Sequence, residues 1–273
     1  ENGREKEYVK QEGRITSAGN FAEALAGIAG GLLAAITLRT PFYFQFLVAA
    51  MAIPAAWRLK EPAMHQMHIH LKPLDFFKEA RKNLMGNRDL LAAILFSSVT
   101  GTATLTFAWF VQPYFQEIAL PVEWFGVMWA LLNMSVAVSS VYAWKVEQRF
   151  SRIAGSWIII ISLTAGFWLS GIFVVWWGVI FLFFFYLARG MATVILKNYV
   201  NEYTGSGVRA TLLSVRNFLI RIQFAVIGPF LGWITDQISL GWALFTAGMI
   251  FLVLAVASVI HWIKPRRQNN SDG

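Results

Sequence analysis

Few side chains in this sequence set an ionisable group inside an apolar stretch, and those few carry whatever chemistry it has. Glu23 is the only acidic residue well inside such a stretch, with Asn20 and Gly27 at i−3 and i+4 on the same helical face. A charge in hydrocarbon is costly unless paired or hydrated, so a carboxyl there is a functional candidate. Two readings stand: a group that takes up and releases protons, or a permanent ion pair that holds helices together. A second polar set, Arg216, Asn217, Arg221 and Gln223, interrupts another apolar stretch. Arg216 and Arg189 sit toward the ends of theirs, where long stems can reach the interface. Asn133 and Ser135 form a third polar pair that would face a pore, and Glu147, Arg149 and Arg152 crowd a short loop.

Other chemistries find no residues. His65, His68 and His70, with Met64 and Met67, are types that bind soft metals, but spacings of three and two fix no geometry, and no Cys or carboxylate cluster completes a site. They read as a solvated linker, so no metal and no cofactor is expected. The sequence contains no phosphate-binding Walker loop, no nucleophile elbow and no HExxH. It reads as a protein that is not an enzyme and does not hydrolyse ATP.

The elements that must position these groups are membrane helices. Of the 273 residues 57% are hydrophobic and 14% charged, where soluble domains carry about 25% charged residues. Crossing a hydrocarbon core about 30 Å thick takes about 20 apolar residues. Eight stretches qualify, at roughly 16–37, 41–58, 90–113, 122–143, 154–170, 172–194, 211–234 and 241–263. The unbroken run from Val174 to Leu187 lacks the alternation of a barrel strand. The aromatic run Phe181 to Tyr186, with Trp176 and Trp177, either lines an apolar cavity or packs against lipid and neighbouring helices.

The basic residues sort by loop. Taking the N-terminus as inside, 19 of the 23 Lys and Arg fall on one face, Arg39 falls on the other, and Arg189, Arg216 and Arg221 lie within helices. Basic loops stay cytoplasmic, so the +8 net charge marks topology and not a nucleic-acid surface. The expectation is a multi-pass protein of the inner or plasma membrane with both ends cytoplasmic and the lipid bilayer as its partner.

An internal repeat organises the chain. Ser17, Asn20, Phe21 and Gly31 recur as Ser214, Asn217, Phe218 and Gly228 at one offset of 197 residues. Arg221 then falls within one position of Glu23, which makes the two candidates for an ion pair formed in one conformation and broken in another. Six helices separate the repeated positions, so the parent architecture has two six-helix halves. The expected layout is a cytoplasmic loop at 1–15, the last two helices of an N-terminal half at 16–58, a linker at 59–89, a six-helix half at 90–263 and a tail at 264–273. Within the linker, Asp75 to Met85 has the spacing of a basic amphipathic helix, or is solvated and partly helical.

Two six-helix halves, a basic linker and cytoplasmic termini resemble the major facilitator superfamily of secondary transporters. The stretch Gly207-Val-Arg-Ala-Thr-Leu-Leu-Ser214 is similar to the loop entering helix eleven in bacterial members. Trp144 to Arg152 resembles a degenerate copy of the family's inter-helix signature, keeping Glu147, Arg149 and Arg152 but neither glycine. The resemblance implies an all-α helical bundle corresponding to helices five to twelve of twelve, hence a chain that is a fragment of the parent. It further implies a permease that moves a small molecule by alternating access, with proton-coupled efflux the first expectation. On that reading Glu23, Asn20, Arg221, Gln223 and Asn133 belong to the substrate or proton pathway, and Glu147, Arg149 and Arg152 to a gating loop. The alternative is a non-transporting sensor or assembly partner with the same fold.

Overall fold

The computed structural model describes residues 8–37, 39–58, 84–204 and 209–263. Among them the long elements are all helices: α1 (Tyr8–Ile36), α2 (Thr40–Trp57), α3 (Arg88–Glu117), α4 (Phe125–Arg149), α5 (Arg152–Ile172), α6 (Val179–Glu202), α7 (Arg209–Gln237) and α8 (Leu240–Ile263). Single 3-10 turns at Val122–Trp124 and Trp176–Gly178 lead into α4 and α6. The six from α3 to α8 are long and apolar enough to cross a membrane, and the fold is that of a multi-pass helical membrane protein. The eight predicted stretches all appear as helices, but α1 and α2 fall outside those six. α2 carries no charged residue, and beyond Arg14 α1 carries only Glu23.

Helix ends differ from the predicted ones. α1 begins at Tyr8, ahead of residue 16, so part of the expected N-terminal loop is helical, and α6 continues to Glu202, past residue 194. Hydropathy reports where hydrocarbon ends, whereas the backbone hydrogen-bond ladder continues as long as residues favour it. Asn87 starts α3 by accepting from the amides of Asp89 at 3.1 Å and Leu90 at 3.2 Å, and Ser151 starts α5 by accepting from Ala154 at 3.3 Å. The three linker histidines, most of Asp75 to Met85, the loop at 205–208 and the tail lie outside the described residues.

α3 is the hub, packed on α6, α7 and α8; α4 lies between α1 and α6, and α5 lies against α6 and α8. The core holds Phe107 of α3 stacked on Phe185 of α6, with centroids 3.7 Å apart, and edge-on to Phe167 of α5 at 5.1 Å. The aromatic run of α6 therefore splits, with Phe185 and Tyr186 in the core and Phe184 exposed. Tyr114 donates its hydroxyl to the carbonyl of Phe173 at 2.6 Å, with that of Val175 at 3.3 Å, tying α3 to the turn that follows α5.

Lipid supplies no hydrophobic drive between helices, so close fit must hold them. α1 and α4 approach backbone to backbone. A Cβ on Gly13 would stand 2.4 Å from the carbonyl oxygen of Ser140, and one on Gly126 would stand 3.1 Å from that of Gly27. The Ser140 hydroxyl donates to the Gly13 carbonyl at 3.2 Å. Each pair is separated by 14 residues on both helices (13 to 27, 126 to 140), which defines one antiparallel register. Gly13→Ala should therefore force α1 and α4 apart at a cost of about 1–3 kcal/mol, the usual range for overpacking. Gly19→Ala, where a Cβ meets nothing within 4 Å, should be neutral or slightly stabilising. Thermal unfolding of the two variants in detergent checks this, with a fall of several degrees expected for the first alone.

Candidate functional site

α1 sets its acidic residues on one face. Glu12 and Glu23 are 11 residues apart, close to three full turns, and face α6, which carries Lys197 and Arg189 about two turns apart. Lys197 Nζ meets Glu12 Oε1 at 2.5 Å, and Glu12 is 8% exposed. One level further along, Glu23 and Arg189 line the same cleft, and among the described residues no ion pair within 4 Å joins them.

This cleft, about 540 Å³, lies between α1, α3, α4 and α6 and is lined also by Trp109, Gln112, Phe115, Phe125 and Trp129. Glu23 stands midway along α1, and Arg189 lies 13 residues from the end of α6, about 20 Å at 1.5 Å per residue. Arg189 is thus at mid-depth, and the cleft runs from there toward the end of the bundle where α3 closes and α4 begins, lined by Phe115 and Phe125. The Arg189 guanidinium lies over the Tyr186 ring at 5.2 Å. Its Nη1 and the Tyr186 hydroxyl are both buried and face each other beneath the cleft.

The other sequence candidates are distributed differently. Asn20 is level with Asn133 in the α1/α4 register, but its amide donates to its own helix at Thr16 O, 2.8 Å. Asn133 is fully buried and donates to Trp129 O at 3.1 Å, with its Oδ1 unpartnered. Gln223 accepts from Thr102 at 2.8 Å and donates to Ser98 at 3.4 Å, tying α7 to α3. Arg221 is exposed on α7 and is not among the residues that line the Glu23 cleft. The charge across from Glu23 is Arg189, not Arg221.

Arg216 and Arg189 both depart from the snorkelling role expected of them. Arg216 donates to the hydroxyl of Ser97 and, at 3.5 Å, to its carbonyl, which binds α7 to α3. Arg189 was legible only to a reading that carried α6 past residue 194. With the helix ending at Glu202, an arginine five residues from the apparent end becomes one near the centre.

The loop candidates sit at the end of the bundle that bears most of the basic residues. Arg152 pairs with Glu202 at 2.5 Å, donates to the Tyr203 hydroxyl, and lies over the rings of Tyr203 at 4.9 Å and Tyr199 at 5.5 Å. Asn198 donates to the other Glu202 oxygen at 2.8 Å. Burial pushes the Tyr203 phenol above its ordinary range, with the nearby Arg152 charge opposing. Glu147 is half-buried and Arg149 is exposed. These contacts join α5 to the end of α6.

No protein-family model matches the chain, and no curated protein matches it.

The Glu12–Lys197 pair yields a test of its own. Lys197→Met removes the ammonium that faces the buried Glu12 carboxylate, whereas Lys197→Met combined with Glu12→Gln removes both charges. Because the Lys197 side chain keeps 37% of its area exposed, the single change should cost roughly 2 kcal/mol, less than the about 3–5 kcal/mol of a fully buried pair. The double variant should recover most of that loss in a denaturation cycle.

Proposed function

We propose that the protein is a secondary active transporter of the major facilitator type, moving a small molecule across a cell membrane by alternating access with proton-coupled efflux. The observation that supports this best is that one carboxyl, Glu23, and one guanidinium, Arg189, from different helices line a single cleft that reaches mid-depth. Such a site near the bilayer midplane, at the junction of helix groups, is where secondary transporters bind cargo and coupling ion. The internal repeat and the fully helical fold agree with a two-half bundle of eight spans in this chain. Glu23 is the proton-accepting group, and the α1/α4 seam is the contact about which the halves rock. The end carrying Lys10, Arg14, Lys145 and Arg152 faces the cytoplasm.

Reconstitution into proteoliposomes with an internal pH indicator tests the coupling. A transported solute should drive proton movement in the wild-type protein. Glu23→Gln should lower solute-driven proton flux by at least roughly tenfold, about 1.4 kcal/mol, while solute still binds. Binding with no flux in the wild type would favour a sensor or assembly partner. Orientation is checked separately. The chain contains no cysteine, so single reporters at the exposed Lys145 and Glu123 should react with impermeant thiol reagents from opposite faces, Lys145→Cys from the cytoplasmic one.

A further inference from the structure

Arg189 is a permanent cation near the middle of the bundle, and among the described residues no carboxylate stands within ion-pairing distance of it. Its one close neighbour of opposite polarity is a ring face, that of Tyr186 at 5.2 Å. A ring face attracts the flat side of a guanidinium and leaves its N–H edge unspent. Nη1 lies buried against the Tyr186 hydroxyl, its neighbour in a guanidinium–phenol contact, while Arg189 itself also lines the open cleft. Glu23 lines the same cleft but makes no hydrogen bond or ion pair to Arg189 among the described residues. The cleft therefore holds a cation in need of an anion and room, at about 540 Å³, for a molecule of ordinary ligand size.

The rest of the lining says what that anion is attached to. Trp109, Phe125 and Trp129 turn aromatic surface to the cleft, and Gln112 adds a single amide. Trp109 is largely exposed, and Trp129 is fixed edge-on against Tyr186 with centroids 6.3 Å apart. A small inorganic anion would leave those rings uncovered, and a polyol would gain little from them. A flat apolar body carrying one carboxylate meets both halves of the site.

Resting on the transporter reading, we infer that the cleft binds organic carboxylates with an aromatic or otherwise flat apolar body, the carboxylate on Arg189 and the body against Trp109 and Trp129. A guanidinium presents a donor fork that matches a carboxylate, and the charge-assisted bonds strengthen away from water. Glu23, a like charge for such a ligand, opposes it while ionised.

Calorimetric titration of the full chain in nanodiscs tests this, using naphthoate and naphthylmethanol, the neutral alcohol of the same frame. The wild type should bind the acid at least roughly tenfold tighter than the alcohol. Arg189→Gln should abolish that preference and leave alcohol binding unchanged, Arg189→Lys should keep part of it, and Glu23→Gln should raise affinity for the acid. Retained alcohol binding shows that Arg189→Gln is folded; if it is lost, the preference retained by Arg189→Lys decides the matter. Equal binding of acid and alcohol by the wild type, or an unchanged preference in Arg189→Gln, overturns the inference. Counterflow of labelled naphthoate in proteoliposomes separates the two readings: charge-selective binding without counterflow upholds the carboxylate site and overturns transport, and flux without charge selectivity does the reverse.

Discussion

Everything distinctive in this bundle depends on how closely α1 can approach α4. In lipid the alternative neighbour of any apolar side chain is another apolar chain, so helices stay together only where their surfaces fit. Gly13 against Ser140 and Gly27 against Gly126 bring the two backbones into contact at two levels about 21 Å apart along the axis. That register fixes the rotation of α1. With the glycines turned to α4, the face carrying Glu12 and Glu23 turns to α6, and one charge is matched by Lys197 while the other looks into the cleft that Arg189 shares.

The polar groups inside the bundle divide into two kinds by what they touch. Arg216 and Gln223 spend their donors on Ser97 and Ser98 of α3, and Thr102 donates back to Gln223. These bonds join neighbouring helices where water offers no substitute. Glu23 and Arg189 are different, for both line an open cleft and, among the described residues, no ion pair joins them to a neighbour. Polarity inside an apolar helix thus identifies candidates, and the partner of each side chain tells a helix clamp from a group left facing a cleft.

The sequence carried much of this, in proportion to how local the signal was. All eight helices were visible because a run of apolar residues needs no tertiary information, and Glu23 stood out for the same reason. Helix ends were less visible. Lys197, Asn198 and Glu202 look like a loop by hydropathy but continue α6, and misjudging that end hid the depth of Arg189. The repeat offered Arg221 as the partner of Glu23, since an offset aligns positions along the chain without fixing which way a side chain turns about its helix. Glu12 was assigned to a loop, although its three-turn spacing from Glu23 contained the clue that both belong to one face.

The hydroxyl of Tyr114 reaches across 59 residues of sequence to the carbonyl of Phe173. Chains are laid down from the N-terminus, so α3 stands with a phenol lacking its acceptor until the turn between α5 and α6 has been synthesised. The bond can form only after α4 has been threaded between. It ties the end of α3 to the turn between α5 and α6, so that the two ends meet in one register.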